Sequence, residues 1–301
     1  MIPVRQVHEL TLERGRSEGP THVSAASSLE QVGDTLFVIA DDEMRLAVFP
    51  RLGAEPGYAV RILEAQGDGG RAGKDSKADL ESLTLLPAFG DQPHGALLAL
   101  GSGSGARRNQ GVLIGLRSQG EPADHRTVDL VPLYSHLRKS VEQLNIEGAA
   151  VVDEKLRLLQ RGNNGTGANV VIDLELAQVL RALERGEPLS GSYVRSMEER
   201  DLGRLQGVDL AFSDASALPD GRVVFCASAE DTRDSYQDGP VVGSALGLMD
   251  SAGNVEVVEP VDLDVKLEGL TARAGDNGVQ VLMVTDADDP EAPSPLLEAN
   301  F

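Results

Sequence analysis

Four carboxylates recur at matching places in a repeated pattern: Glu81, Glu147, Asp214 and Glu268. Each is followed by small or apolar residues, a turn rich in Gly, Asp or Asn, an apolar run and a polar exit. The copies begin DLESLTLLP at 79, NIEGAAVV at 145, FSDASALPDGRVVFC at 212 and KLEGLTAR at 266. A weaker copy at 23, VSAASSLEQVGDTLFVIA, carries Ala25 where the others carry the acid. Carboxylates brought together in a confined space cannot all stay ionised, because like charges and desolvation both raise their pKa. Three chemistries would relieve them: a bound cation, pairing with Arg or Lys, or retained protons. Oxygen ligands without histidine suit Ca²⁺, with Mg²⁺ or Mn²⁺ as the lesser candidates, and do not suit zinc.

The elements that must position these acids follow from the repeat. Its steps run from about 54 to 67 residues and close across the two termini, which suggests a ring whose units each pack on two neighbours. The fourth copy offers four strands, at 214–218, 222–227, 244–249 and 255–258, separated by turn signals. Four-stranded units at a fixed period predict an all-β, single β-propeller over residues 1–301, with five blades and six as the alternative. The last unit has room for three strands, so the alternating VRQVHELTLE at the N-terminus is expected to supply the fourth and close the ring. Helical insertions are expected near 133–145 and 174–187, where leucines fall at helical spacing and helix formers cluster.

In a blade the first strand lines the axis and the second runs back antiparallel. The start of strand one and the end of strand two therefore share one face of the disc. That places the four carboxylates around one mouth of the channel, metal ligands if a metal is present. Strand exits rim it: Asp41, Asp42 and Glu43; a GSGSG loop with Arg107 and Arg108; Arg161 with Asn163 and Asn164; Glu230 and Asp231; Asp286 and Asp288. Guanidinium groups on one side and a metal on the other would clamp a small anionic ligand. A carboxylate repeated at the start of each inner strand also has a structural reading, as a latch to backbone N–H groups of the next blade.

Bulk properties narrow the partners. Lys and Arg number 27 against 48 Asp and Glu, a formal net charge of −21, which repels nucleic acid. The absence of Trp and an aromatic content of 3% argue against base- or sugar-stacking platforms. Cys226 is the single cysteine and sits in an apolar run, a buried structural thiol rather than a nucleophile. The five histidines, at 8, 22, 94, 125 and 136, are scattered. No apolar run is long enough for a membrane span, and the N-terminus lacks a basic segment followed by an apolar one; the expected compartment is the cytoplasm.

The motifs DLESLTLLP, NIEGAAVV and KLEGLTAR resemble the repeats of calcium-dependent propellers, the phytase-like and esterase-like phytase group and the gluconolactonase and strictosidine-synthase-like group. The resemblance covers nearly the whole chain and suggests an uncharacterised bacterial branch. It implies a metal in the channel mouth, with Glu81, Glu147, Asp214 and Glu268 as ligands, and hydrolysis of phosphoesters or lactones. Ala25 breaks the pattern in the first unit. The expected function is a metal-dependent hydrolase of a small anionic ester, phosphoester or lactone. Glu147 would act as general base, and Arg107, Arg108 or Arg161 would stabilise negative charge. The alternative is a non-catalytic propeller that binds a ligand or protein, its carboxylates serving as latches.

Overall fold

The computed structural model describes residues 1–16, 19–63, 79–105, 107–162, 167–231, 240–275, 278–286 and 289–301. The chain opens with β1 (Val4–Glu9). Five antiparallel sheets follow. The first contains β2 (Ala26–Val32), β3 (Thr35–Ala40), β4 (Arg45–Pro50) and β5 (Tyr58–Arg61), and the second β6 (Leu80–Leu86), β7 (Ala96–Gly101), β8 (Gln110–Leu116) and β9 (Pro122–Asp129). Helix α1 (Val131–Leu137) leads to the third, β10 (Ile146–Val152), β11 (Lys155–Gln160), β12 (Asn169–Glu175) and β13 (Val194–Arg200), with α2 (Leu176–Arg185) inserted between its last two strands. The fourth has a two-residue β14 (Arg204–Leu205) ahead of β15 (Val208–Ala217), β16 (Val223–Glu230), β17 (Val241–Met249) and β18 (Val255–Pro260). The fifth holds β19 (Leu267–Gly275), β20 (Gly278–Thr285) and β21 (Pro295–Asn300), completed by β1 alongside β21.

The inner strands pack in sequence, β2 on β6, β6 on β10, β10 on β15, β15 on β19, and β19 back on β2. This is a five-bladed propeller. The strand that closes the ring is the expected one, with Val4 opposite Ala299 and Glu9 opposite Pro295. A short parallel bridge from Ile2 to Val261 ties the same segment to the fourth blade.

Apolar side chains form five clusters, one in each seam between neighbouring blades. A strand sandwiched between two seams is apolar on both faces, which is why β7 (ALLALG) is buried at every position rather than alternating. The largest cluster lies between blades two and three, where Leu133, Tyr134 and Leu137 of α1 and Val179, Ala182 and Leu183 of α2 extend it. α2 falls inside the insertion expected at 174–187, whereas α1 begins two residues before the one expected at 133–145; both are shorter than expected. Pro132 starts α1, and Gly186, at φ +65°, stops α2 in the left-handed conformation that glycine adopts without strain.

Every inner strand carries a β-bulge, at its start between Ala26 and Ser28, Leu80 and Ser82, Ile146 and Gly148, and Leu267 and Gly269, and in the middle of the longer β15 between Phe212 and Asp214. An extra residue re-aims the side chain at that point. The five bulged residues are Ser27, Glu81, Glu147, Ser213 and Glu268. The true repeat unit is therefore this bulge, and it shifts two blades relative to the sequence alignment: Ser27 replaces Ala25 as the first member, and Ser213 replaces Asp214 as the fourth.

Candidate functional site

Three of the four expected acids, Glu81, Glu147 and Glu268, meet at the mouth of the channel. The strand alternation puts residues two positions earlier on the same face, and these are Asp79, Asn145 and Lys266. The exits of the second strands add Asp41, Arg161 and Glu230.

Arg161 is the centre of one half. Its side chain is 8% exposed and its guanidinium lies 2.8 Å from Glu230 Oε2, 3.8 Å from Glu147 Oε2 and 3.9 Å from Glu268 Oε2. Lys266 Nζ donates to Glu268 Oε1 at 2.7 Å and is 3.7 Å from Glu230. Burial works against both cations, but the surrounding glutamates outweigh it and hold their pKa values above the ordinary range. Asn145 Nδ2 donates to Glu147 Oε1. Burial pushes the Glu147 carboxyl up to about 7; Arg161 opposes that rise and Glu268 reinforces it.

The other half gathers acids of blades one and two. Ligand oxygens of Asp41, Asp79 and Glu81 all lie within 4.8 Å of one another. Burial, and then the charges of Asp79, Glu147, Asp41 and Glu268, drive the Glu81 carboxyl well above its usual range. Glu81 has no hydrogen-bond or ion-pair partner among the described residues. Asp79 is held firmly: Arg108 reaches its Oδ2 at 2.9 Å and Ser102 Oγ donates to the same atom. Its backbone sits at φ +53°, a left-handed conformation that is strained for a residue other than glycine.

The loop that supplies Ser102 and Arg108 is pinned from outside by α1. Tyr134 Oη donates to the Gly101 carbonyl at 2.6 Å, and Arg138 donates to the Gly103 carbonyl and to Asn109. Gly103, at φ +74°, lies against the Tyr134 ring, so a Cβ there would come within 2.8 Å of it. The helical insertion thus fixes a loop of the site.

Asp214 is elsewhere. It is fully buried one residue beyond the bulge, and its Oδ2 accepts from Ser28 Oγ at 2.8 Å and from Leu270 N–H of blade five at 3.0 Å. Its Oδ1 accepts from Ala215 N–H. Ser28 Oγ in turn accepts from Leu83 N–H of blade two. Two residues further on, Glu30 accepts from Leu85 N–H and Ser216 from Ala272 N–H. Blades one and four therefore each grip the next blade through two side chains. Where the third and fifth blades meet their neighbours, Gly148 and Gly269 stand at the same position. A Cβ there would fall 3.1 Å from Asp214 Cα and 2.7 Å from Ser28 Cα.

The remaining expected residues are dispersed. Arg107 is exposed on the pinned loop. Glu43 is paired with Arg45, which grips one of its oxygens at 2.6 Å and 3.0 Å. Asp286 bridges to Ala25 between blades five and one. Asn163, Asn164 and Asp288 lie outside the described residues. Asp79 and Lys266 were missed from sequence because only the recurring acids were followed. Both stand two residues before a bulged acid, and the bulge that turns that position toward the mouth is not visible in the sequence. Cys226 is buried, and burial raises its thiol pKa, as a structural thiol requires. Among the described residues no helix is long and apolar enough to cross a membrane.

The family model of unknown function, DUF6929, matches residues 22–301. The chain belongs to this family. No curated protein matches it by sequence. Solved structures similar to the DUF6929 chain include a luciferin-regenerating enzyme, at 11% identity over 93% of this chain and 92% of that one, with a TM-score of 0.44. A mannose phosphorylase from Leishmania mexicana in complex with phosphate ion is similar at 12% identity over 99% and 89%, with a TM-score of 0.42. A gluconolactonase-like structure is similar at 13% identity over 88% and 70%, with a TM-score of 0.39. At these scores the likenesses carry no functional implication.

Proposed function

We propose that the channel mouth of this DUF6929 propeller binds a divalent cation, most simply Ca²⁺, and serves as a metal-dependent hydrolase of a small ester, phosphoester or lactone. The observation that carries this reading is Glu81, a carboxylate with no partner among the described residues. It stands beside Asp79 and Asp41, with oxygens of all three within 4.8 Å of one another. Calcium takes oxygen ligands at about 2.3–2.6 Å, so oxygens at that mutual spacing fit around one ion. The four-acid ligand set read from the sequence is thereby redistributed. Glu81 stays, Asp79 and Asp41 join it, and Asp214 is a latch. Glu147 and Glu268 are matched by Arg161 and Lys266.

When bound, such a cation supplies Lewis acidity toward a substrate oxygen. The chain's own residues do the rest. Glu147, with its carboxyl raised to about 7, exchanges a proton near neutral pH, as a general base must. Asn145 and Arg161 orient it. Arg108 and Ser102 hold Asp79 in place, and Arg107 stands on the rim of the same loop. Arg161, enclosed by three carboxylates, positions Glu147 rather than gripping an anion. Calcium titration of EDTA-stripped protein by calorimetry tests the reading, followed by a screen of esters, phosphoesters and lactones. Binding of one equivalent, with turnover lost in Glu147→Gln and on chelation, is expected. Absence of binding, or full turnover in Glu147→Gln, overturns it.

The alternative, a non-catalytic propeller binding a ligand or protein, has its own support. Arg161 of blade three joins Glu230 of blade four and Glu268 of blade five, as a structural clamp would. That reading expects Glu147→Gln to lower the melting temperature with no hydrolysis in any assay.

A further inference from the structure

We infer that Tyr134 of α1 and Arg138 at its C-cap, both outside the ring, are positioning residues for the cation half of the mouth. They set its calcium affinity by holding Asp79 in place through the loop that follows β7. The inference rests on the cation reading above and takes nothing from hydrolysis. Oxygens of Asp79, Asp41 and Glu81 lie within 4.8 Å of one another, and their like charges push them apart until a cation arrives. Asp79 also stands at φ +53°, which a residue other than glycine keeps only under restraint. It must be held against both repulsion and strain. Ser102 holds it twice, its N–H donating to the Asp79 carbonyl at 2.9 Å and its hydroxyl to Oδ2. Arg108 reaches the same Oδ2 at 2.9 Å.

The loop that carries Ser102 and Arg108 has little stiffness of its own. Residues 101–105 read GSGSG, and glycine has more conformational freedom to lose than any other residue. Inside the loop, Gly103 N–H donates to the Arg108 carbonyl at 2.9 Å, and Ser104 Oγ accepts from Arg108 at 2.6 Å. Anchors from outside add to these. Blade three contributes Ile146 N–H, which donates to the Ser102 carbonyl at 2.7 Å. The helix grips both ends: Tyr134 Oη donates to the Gly101 carbonyl at 2.6 Å, and Arg138 Nη2 donates to the Gly103 carbonyl and to Asn109 Oδ1. The Arg138 guanidinium lies 6.0 Å from the centre of the Tyr134 ring, so the two anchors brace each other. Tyr134 is fully buried, and its hydrogen bond is shielded from water. Ligands ordered before the ion arrives lose less freedom on binding. The contacts thus run from the helix through Gly101, Gly103 and Asn109 to Ser102 and Arg108, and from these to Asp79.

The test measures calcium affinity by calorimetry on EDTA-stripped full-length protein. A second readout, made without metal, is the rate of trypsin cleavage after Arg107, followed by mass spectrometry. Arg107 is exposed on the loop, so this cut reports loop order whether or not calcium binds. Tyr134→Phe, which removes only the hydroxyl, and Arg138→Met, which keeps an unbranched stem, each weaken calcium binding. Combined, they weaken it by about tenfold or more, the scale on which outer residues that orient metal ligands act. Both variants are cut faster after Arg107 than the native protein. Arg138→Lys, which keeps a donor, recovers part of the affinity. Val179→Ala in α2 is the control: it opens a void in the apolar cluster that α1 also joins and lowers the melting temperature. Its calcium affinity and its Arg107 cut match those of the native protein. A double variant that binds calcium as tightly as Val179→Ala overturns the inference, as does an unchanged cut after Arg107. A native protein that binds no calcium overturns the cation reading and this inference together. Native binding with the affinity unmoved in the double variant overturns this inference alone.

Discussion

Glu81 and Glu30 are both half-buried glutamates with raised pKa values, and they differ in what surrounds them. Like charges reinforce burial at Glu81, so its ionised form has something to gain from a cation. Replacing it with Gln removes repulsion as well as a ligand. Calorimetry should show calcium affinity falling at least tenfold, roughly 1.4 kcal/mol or more, while the metal-free protein melts no lower than the native one. Glu30 faces no such cluster. Burial pushes it up to about 7, against the backbone N–H groups of Leu85 and Gln31. A carboxyl raised in the folded state holds its proton while the unfolded chain releases it. Its contribution is therefore fully present below about pH 4.5 and is lost as pH rises through 7. Glu30→Gln keeps an acceptor for Leu85 and has nothing to ionise. Denaturant titrations across pH 4.5–7.5 should show a flatter profile for the variant, with roughly 1–2 kcal/mol gained at the alkaline end. A profile parallel to that of the native protein would show that Glu30 titrates unperturbed.

The bulged inner strand is the element on which both latch and site depend. It turns one residue toward the mouth and sets the next against the neighbouring blade, so adjacent residues have opposite tasks. Asp214→Ala should cost about 3 kcal/mol or more, because Leu270 N–H, Ala215 N–H and the Ser28 hydroxyl all lose their acceptor in a buried seam. Asp214→Asn, which keeps one oxygen, should cost less. If calcium binding disappears in Asp214→Asn while stability is retained, Asp214 is a ligand after all. The same bulge explains what the sequence could and could not show. Blade period, five-fold count and closing strand are carried by apolar runs and turns many residues long, and they were legible. A bulge leaves no composition signature. FSDAS offers Ser213 and Asp214 side by side, and only the pairing of Phe212 with Ala227 and Asp214 with Cys226 shows which one is extra. Asp79 escaped for a related reason: its place beside Glu81 depends on a left-handed backbone and on Ser102 and Arg108, which arrive from the far end of another strand.

At the scale of the molecule, the ring stands or falls on its closure. Five seams hold five apolar clusters, and none is complete unless both its blades are present. The seam between blades five and one is the one that joins the two ends of the chain. It is made by Leu10 and Leu12 together with Val284 and Leu296. β1 covers β21 along its length, and Ile2 continues the contact to Pro260 and Asp262 of blade four. Removing residues 1–9 would leave β21 as an open sheet edge with an unpaired backbone, a template for association between chains. It would also uncover the cluster between blades four and five, where Ile2 and Val4 pack on it. With about 1 kcal/mol for each lost backbone bond, the loss should be roughly 4–6 kcal/mol, a fall of roughly 10 °C in a chain this long. The truncated protein should elute from size-exclusion columns as aggregates. A peptide of residues 1–9 added in trans should restore both monomer and melting temperature by pairing with β21. Truncated protein that melts like the full chain, or ignores the peptide, would mean that the seams hold the ring without its closing strand. If the strand does matter, calcium affinity should survive truncation in the fraction that remains folded. Asp41, Asp79 and Glu81 belong to blades one and two, whereas residues 1–9 pair with blade five and pack on the seam between blades four and five.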